Sequence, residues 1–416
     1  MRQRIGVRKT AFIVLGVVVF VGFVPFALVE WWPEGGAMLA DRGRKVFGPR
    51  VVAQVENLVF GVQDAARGWA YRLGWRQPVS PWQTPGPTVM PPTAEPSAPT
   101  VTRIPRSTPL PVETLSPADR VSPTPVPVAS PSPTEEPFRW ELSSLPALGE
   151  LEGEGEWQVY LYDRAGRPVA LRTFLQPDAG RPYAYVAVVA VDLRRAALHF
   201  VPGFLEPAAP DGPRGDGLIA EEHRRPGVLL AAFNGGFRYA NGMFGAMADG
   251  VLYVPPQPDK ATLVIYRDGS VRIANWSNAF LADPDILAWR QNAPLVIQEG
   301  EISARVYNDS ITDWGASVSN HIVTRRSAVG VDAAGETLFY FAGPNLDMPS
   351  LAAAMQASGV YNGMLLDINN FWVMFSAFRF EDGEWLAEAL LPDLMTDKVD
   401  RYLYASPVDF FYLTLR

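Results

Sequence analysis

Residues 78–137 constrain the fold of this 416-residue chain more than any other stretch, because they cannot form a packed core. Eighteen of these 60 residues are proline, and sixteen are serine or threonine. Such a composition favours an extended, polyproline-like chain with little apolar surface to bury. We therefore predict a disordered Pro-rich linker that acts as a stalk of roughly 190 Å at most. It separates the N-terminal segment from a domain at 138–416.

The N-terminal segment has the features of a membrane anchor. Residues 1–10 form a basic tail with four Arg or Lys side chains, and residues 11–29 carry no charge. An apolar helix of this length spans roughly 28 Å, about one hydrocarbon core. A cleaved signal peptide is the alternative, but the apolar run is long and no small-x-small cleavage site follows it. We expect a transmembrane helix at 11–29, a cytoplasmic N-terminus and an extracytoplasmic C-terminal domain.

A further helix is predicted at residues 46–76, where apolar residues recur at spacings of three and four. Its position close to the anchor makes it an amphipathic juxtamembrane helix. Three arrangements are open: it lies on the outer membrane surface, it pairs with a copy of itself, or it packs on the main domain.

Charge and composition exclude several classes of function. Residues 138–416 contain 22 Lys or Arg and 34 Asp or Glu, a net charge of 22 − 34 = −12, so no nucleic acid partner is expected. The chain has no cysteine, which excludes disulfides, thiolate zinc sites and a cysteine nucleophile. It also lacks the P-loop, nucleophile-elbow and HExxH motifs. No metal or cofactor is assigned, although the carboxylates and asparagines could serve a divalent cation.

The main domain shows apolar runs of strand length that are separated by turn signals. The predicted strands are 157–162, 183–193, 228–233, 261–266, 270–274, 328–331, 337–341, 363–367, 401–404 and 410–415. Hairpin turns are predicted at 267–269 and 332–335. For one helix, Asp347 is the expected cap, Pro349 opens the first turn and Gly359 ends it. The pattern predicts an α+β fold with a largely antiparallel β-sheet and a few packed helices.

Three of the predicted strands have polar residues at one end. These residues are Asn234, Gly235 and Gly236 after the first strand, Arg325 and Arg326 before the second, and Asp367, Asn369 and Asn370 after the third. If the three ends converge, they form a pocket with an arginine fork, a carboxylate and amide groups, which suits a sugar that carries a phosphate. Each group has a structural alternative, in which it only completes a turn or the end of a buried strand.

Four segments, taken in order and spacing, resemble the phosphodiester glycosidase family. They are FNGGF at 233–237, MADGVLYVPP at 247–256, RSAVGVDAAGETLFYFAG at 326–343 and GMLLD at 363–367. The resemblance covers about residues 180–416 and leaves out the anchor and the linker. It implies a hydrolase that cleaves the glycosidic C1–O bond of a sugar-1-phosphodiester. Many family members are bacterial envelope proteins, so cell-envelope or exopolysaccharide material is the implied substrate.

The third motif departs from the family pattern. Many members continue it as Asp-Gly-Gly-Gly-Ser, whereas this chain reads DINNFW from Asp367 to Trp372. Asn369 and Asn370 could replace main-chain donors with side-chain amides, and Trp372 could offer a face on which a sugar stacks. Alternatively, these residues complete a buried strand.

The resemblance implies the following roles for the site residues. Asp367 acts as a base or as an electrostatic stabiliser, Asn234 orients the substrate, and Arg326 binds the phosphate with the amides of Gly235 and Gly236. Further substrate contacts are expected from Arg325, Asn369, Asn370 and Trp372. Two other classes of function stay open: a catalytically inactive envelope module that binds a glycopolymer, and a structural unit without a ligand.

Overall fold

The computed structural model describes residues 42–43, 46–47, 49–82, 140–308, 314 and 322–416. The predicted basic tail, transmembrane helix and most of the Pro-rich linker lie outside these residues. By its contacts the chain divides into two units, one formed by Met1–Thr84 with Leu142–Arg416 and the other by Pro85–Glu141. Within the described ranges, no helix combines the length and the apolar character that a membrane crossing requires.

All helices and strands described below belong to the first unit. The helices are α1 (Pro49–Arg72), α2 (Ala279–Ala282) and α3 (Met348–Ala357). The strands are β1 (Gln158–Tyr162), β2 (Pro168–Leu175), β3 (Val186–Asp192), β4 (Ala196–Val201), β5 (Leu229–Asn234), β6 (Ala246–Ala248), β7 (Val251–Val254), β8 (Ala261–Tyr266), β9 (Val271–Asn275), β10 (Ile286–Gln291), β11 (Leu295–Gln298), β12 (Glu301–Ile302), β13 (Thr324–Val331), β14 (Thr337–Leu346), β15 (Asn362–Leu365), β16 (Phe375–Glu381), β17 (Glu384–Ala389) and β18 (Phe410–Leu415).

The strands form three antiparallel sheets. An eight-stranded sheet has the order β1-β2-β3-β14-β13-β15-β11-β12. The two five-stranded sheets have the orders β7-β6-β10-β8-β9 and β17-β16-β5-β18-β4. Each neighbouring pair in these orders runs antiparallel. The prediction of an α+β fold with a largely antiparallel sheet is thereby confirmed.

Local capping explains why α3 begins and ends where the sequence predicts. The Asp347 carboxylate accepts a hydrogen bond from the Ser350 amide at 2.9 Å, and Pro349 occupies the first turn. The helix ends at Ala357, and Gly359 then adopts φ +80°, a conformation that glycine tolerates without strain. All three predicted signals are confirmed.

The predicted strand at 401–404 is wrong, because this segment forms a 3₁₀ turn from Arg401 to Leu403. The Leu403 amide donates to the carbonyl oxygen of Asp400 at 2.9 Å, so the main chain is satisfied locally instead of in a sheet. Tyr402 and Leu403 are nevertheless buried, at 2% and 6% exposure. The apolar signal was real, but a turn and not a strand carries these side chains into the core.

A cluster of aromatic rings joins the eight-stranded sheet to the five-stranded sheet that contains β5. Phe233 on β5 stacks on Phe375 of β16 and Phe411 of β18, with ring centroids 5.9 and 5.4 Å apart. Tyr340 on β14 of the larger sheet contacts Phe233 at 5.0 Å and Phe375 at 5.2 Å. These rings are completely or almost completely buried. They bring the end of β5 against the larger sheet, which is where the candidate site lies.

Helix α1 packs on the main domain. The ring of Tyr71 stacks on that of Tyr183 with centroids 4.8 Å apart, and the Tyr183 hydroxyl donates to Asp64 Oδ1 at 2.7 Å. Arg67 donates to the side-chain oxygen of Asn345. Of the three arrangements open from the sequence, the structure therefore shows packing on the domain. The outward face of α1 still exposes the apolar side chains of Val51, Val55, Val62 and Trp69.

Candidate active site

The three strand ends singled out in the sequence converge. The main-chain N–H of Asp367, which follows β15, donates to the carbonyl oxygen of Gly235 after β5 at 3.2 Å. Ser327 on β13 donates from its Oγ to the Asp367 carbonyl at 2.8 Å. Its own main-chain carbonyl oxygen accepts from the Leu366 amide, also at 2.8 Å. Main-chain and hydroxyl groups thus join the three motifs directly.

Asn234 lies at the centre of this junction and is 2% exposed. Its Nδ2 donates to Ser327 Oγ at 2.9 Å and to the Gly235 carbonyl at 3.0 Å. Its Oδ1 accepts from the Tyr340 hydroxyl at 2.9 Å and the Met374 amide at 3.3 Å. All four hydrogen-bonding positions of the amide are used. Asn234 therefore holds the motifs together in this structure, whereas the sequence interpretation had it orient a substrate.

The amides of Gly235 and Gly236 also differ from their predicted role, since neither is directed at a ligand. Gly235 N donates to the Asp409 carbonyl and Gly236 N donates to Asp409 Oδ2, both at 3.1 Å. A Cβ atom at Gly235 would lie 2.1 Å from Asp409 Oδ2. The glycines are therefore needed for the close approach of an internal carboxylate, and their amides are not available as a phosphate cradle.

The Asp409 carboxylate is balanced by Arg290, which is completely buried on β10. Arg290 Nε donates to Asp409 Oδ2 at 2.9 Å, and its Nη2 donates to the Phe237 carbonyl at 2.6 Å. Close by, Asn292 accepts from the Phe237 amide at 3.2 Å and donates to the Leu365 carbonyl at 2.6 Å. None of these residues is among the site residues predicted from the sequence. The signal was the polar run Arg-Gln-Asn directly after an apolar strand segment.

Asp367 is the carboxylate best placed for chemistry in this region. It is 9% exposed, and its Oδ1 accepts from the amides of Ile368 at 2.7 Å and Asn369 at 2.9 Å. Burial raises the pKa of Asp367 to about 6, against the opposing effects of these two amides and of the Arg238 charge. A carboxyl with a pKa near the working pH exchanges protons readily, which is the property of a general acid or base.

Arg238, which the sequence interpretation did not select, is close enough to Asp367 for its charge to act on this carboxyl. Its positive charge lowers the pKa of both Asp367 and Glu206. Burial raises the pKa of Glu206, whose Oε2 accepts from the Tyr239 amide at 2.9 Å. The charge of one guanidinium thus acts on two carboxyl groups whose pKa is raised by burial. The position of Arg238 directly after FNGGF was a usable signal, but nothing in the sequence around Glu206 marked it.

Arg326 points into the core and not toward the site. It is completely buried, and it donates to the carbonyls of Leu346 and Ile322, both at 2.9 Å, while its Nη1 has no hydrogen-bond partner. Burial lowers the pKa of Arg326 to about 10, and the Asp347 charge opposes this shift. Successive side chains of a strand point to opposite faces. The adjacent Arg325 therefore points the other way, and it donates to the Asn370 carbonyl at 2.6 Å.

A cavity of about 170 Å³ lies beside the third motif. It is lined by Gln63, Arg67, Val323, Thr324, Arg325, Pro344, Asn345, Asn370, Phe371, Met374, Asp393, Leu394, Met395, Thr396, Asp397 and Arg401. Two residues predicted to bind substrate, Arg325 and Asn370, are among them. Asn234, Arg326 and Asp367 are not.

The two remaining predicted substrate residues shape the loop of the third motif. Asn369 accepts from the Phe371 amide at 2.9 Å and so stabilises the turn. Trp372 is half-buried, and the guanidinium carbons of Arg238 and Arg401 lie 5.3 and 5.9 Å from its ring centroid. Its predicted sugar-stacking role therefore competes with cation–π contacts. Among the described residues, no group of three His, Asp or Glu side chains could hold a metal ion.

Comparison with known proteins gives one family match. Residues 228–367 match the family model described as phosphodiester glycosidase, and these residues include the first two converging motifs and the third as far as Asp367. No curated protein matches the chain significantly.

The solved structures that resemble the chain include three at low sequence identity. The first is the zebrafish N-acetylglucosamine-1-phosphodiester alpha-N-acetylglucosaminidase catalytic domain, auto-inhibited by its pro-peptide, at 16% identity over 63% of this chain and 87% of that one, with a TM-score of 0.38. The second is a hypothetical protein from Synechocystis, at 13% identity over 62% of both chains, with a TM-score of 0.29. The third is a putative exported protein from Burkholderia pseudomallei, at 12% identity over 56% and 74%, with a TM-score of 0.24.

Proposed function

Because residues 228–367 match the phosphodiester glycosidase family, we propose that the protein is a hydrolase that cleaves the C1–O bond of a sugar-1-phosphodiester. The observation that carries this proposal is the environment of Asp367. This buried carboxyl has a pKa of about 6, accepts hydrogen bonds from two main-chain amides and lies within reach of the positive charge of Arg238. Asp367 is also the last residue of the segment that matches the family model.

The reaction places opposite charges on the two sides of the bond that breaks. The anomeric carbon gains oxocarbenium character, and the departing phosphate gains negative charge. Phosphate is already a good leaving group, so the reaction depends less on a strong general acid than on cationic groups around the phosphate. We assign Asp367 to the activation of water or the stabilisation of the cation. We assign the positive charge to Arg238, in place of the internal Arg326.

Arg238 suits this role because of its neighbours. It follows the turn at 234–237 directly and lies against the ring of Trp372. The charge of Glu206 interacts with that of Arg238, and its bond to the Tyr239 amide ties it to the residue next to Arg238. A guanidinium that lies against an aromatic ring loses less conformational freedom when it binds a phosphate.

A second candidate function is a glycopolymer-binding module without turnover. The observation that favours it is the use of the predicted phosphate ligands inside the fold: Arg326 bonds to main-chain carbonyls, and the amides of Gly235 and Gly236 bond to Asp409. Such a module would keep the cavity and the aromatic residues near the third motif. It would bind a glycan phosphate but would not need the ionised form of Asp367.

The predicted anchor sets the cellular context of this proposal. With residues 11–29 in the membrane and the N-terminus in the cytoplasm, the domain would face outward and act on envelope or exopolysaccharide material of a bacterium. A protease that is added to intact cells should then degrade the C-terminal domain. If the domain becomes sensitive only after lysis, the proposed orientation is wrong.

The full chain should be assayed with a panel of sugar-1-phosphodiesters, with and without a divalent cation. Released sugar that falls at least about a hundredfold in Asp367→Asn would support the hydrolase. The matched control is Asp382→Asn, an exposed acid in a hairpin turn with φ +51°. No release from any substrate, together with a thermal shift by one glycan phosphate, would instead support the binding module.

A further inference from the structure

The chain is fixed on the domain up to Trp82, which lies near the start of the predicted Pro-rich linker at 78–137. The indole Nε1 of Trp82 donates to the Leu390 carbonyl at 3.0 Å. The guanidinium carbon of Arg172 lies 4.8 Å from the ring centroids of both Trp82 and Tyr160, so the arginine is held between two aromatic faces. With the contacts of α1 to Tyr183, these contacts make residues 49–82 part of the domain surface.

This docked segment supplies one wall of the cavity beside the third motif. Gln63 and Arg67 of α1 line it, together with the start of β13, the loop at 393–397 and Arg401. Arg67 is oriented by its hydrogen bond to Asn345, which also lines the cavity. The cavity is therefore incomplete without a helix that lies on the other side of the linker in sequence.

The charges around the cavity favour an anionic ligand. Three arginines line it, Arg67, Arg325 and Arg401, against two aspartates, Asp393 and Asp397. The sum is +3 − 2 = +1, although residues 138–416 carry a net charge of −12. A volume of about 170 Å³ corresponds to roughly ten water-sized spheres, which gives room for a phosphate group and its neighbours. Arginine is also the side chain best suited to bind phosphate.

The cavity is separated from the candidate active site by one layer of side chains. The guanidinium carbon of Arg401 lies 4.5 Å from the Phe371 ring centroid, and Phe371 lines the cavity. The adjacent Trp372 contacts both Arg401 and Arg238, and the charge of Arg238 acts on Asp367. The cavity is therefore a polar recess beside the third motif that is available to a substrate at Asp367 longer than one sugar phosphate.

We propose that the cavity is an anion subsite for a second phosphate or other acidic group of an extended glycopolymer, and that α1 completes it with Arg67. The inference rests on the proposed function for the identity of the substrate. It adds a specificity determinant that lies before the Pro-rich linker. The subsite favours repeating, multiply phosphorylated substrates over single sugar phosphodiesters.

The first test measures the binding of inorganic phosphate to the full chain by calorimetry, for the wild type, Arg67→Ala and Arg67→Lys. The matched control is Arg72→Ala, which removes an arginine from the exposed last turn of the same helix, where it contacts the Gly68 carbonyl and the Trp69 ring of α1 itself. We expect Arg67→Ala to weaken phosphate binding at least about tenfold, Arg67→Lys to weaken it less, and Arg72→Ala to leave it unchanged. Equal affinity in all four proteins would overturn the subsite.

A second measurement distinguishes a role of Arg67 in substrate binding from a role in the stability of α1 or in the chemical step. KM and kcat are compared for a single sugar-1-phosphodiester and for a substrate with two phosphates. The subsite requires Arg67→Ala to raise KM for the longer substrate alone, with kcat unchanged; the melting temperature is measured beside them, since the bond of Arg67 to Asn345 is lost as well. If KM rises equally for both substrates, or if only the melting temperature changes, Arg67 has a structural role and the proposal fails. Loss of turnover in Asp367→Asn with normal phosphate binding would leave both proposals standing, whereas turnover that survives would refute only the proposed function.

Discussion

Asp367 donates its main-chain N–H to the carbonyl oxygen of Gly235 at 3.2 Å, although the two residues follow strands of different sheets. The position of the acid therefore depends on the docking of one sheet against the other. Ser327 strengthens the link, because it bonds both to Asn234 and to the carbonyl of Asp367. The first consequences concern Asp367 itself.

Hydrolysis should rise as the pH increases through about 6, because the proposed role requires the ionised form of Asp367 and burial raises its pKa to about 6. The rate of sugar release measured between pH 4.5 and 8 checks this. A rate that falls over the same range would assign Asp367 to the acid role instead. In Glu206→Gln, the rise of the hydrolysis rate near pH 6 should persist if Asp367 is the group that titrates.

Asp367 should also make the folded protein less stable at neutral pH than in mild acid. Its pKa is about 6 in the fold and 3.8 in its ordinary state, so the folded chain holds the proton more tightly. The resulting stability is fully present below about pH 4 and is lost as the pH rises to 6, a change on the order of 3 kcal/mol. Urea unfolding at pH 4.5 and 7.5 measures it. Asp367→Asn should reduce this pH dependence. If the free energy of unfolding changes with pH as much as in the wild type, Asp367 is not the group responsible.

Asp409→Asn should destabilise the protein by about 3–5 kcal/mol, because it leaves the buried charge of Arg290 without its counter-ion. The change also weakens the acceptor for Gly236, so the turn at the end of β5 should loosen. Denaturant unfolding of the full chain measures the loss, with Asp382→Asn as an exposed control. A loss below about 1 kcal/mol would show that the pair is not needed to hold the turn.

Cysteine labelling tests the docking of α1, because the chain contains no cysteine of its own. Gln63 is 4% exposed and its neighbour Val62 is 51% exposed. A maleimide should therefore label Val62→Cys at least about tenfold faster than Gln63→Cys in the native protein. In denaturant the two rates should become equal. Equal rates in native buffer would show that α1 is not docked in solution.

Each of the three motifs that converge in the structure has a local signal in the sequence. An apolar run that ends abruptly in polar residues indicates a buried strand with a polar end, and such ends can meet at one edge of the packed sheets. The cap at Asp347 and the turns at 267–269 and 332–335 are local in the same sense. All of these are confirmed by the structure.

The sequence could not predict which polar side chains line the site and which face the core. Arg325 and Arg326 are adjacent, and only the pairing of β13 with its neighbours decides which of them points inward. The partners of Gly235 and Gly236 lie at Asp409, more than 170 residues away. Arg238 and Glu206 meet Asp367 through long-range packing, so no spacing rule connects them.

The docking of residues 49–82 changes the distance over which an anchored domain could move. Because residues 49–82 are docked on the domain, the Pro-rich linker begins and ends on that same domain. Its length therefore does not set the distance between the membrane and the domain. If residues 11–29 are the anchor, the tether that sets the working height is therefore 30–48, at most about 68 Å when fully extended. The 190 Å reach of a Pro-rich stalk does not apply. The domain would work close to the bilayer, within the innermost layer of the envelope.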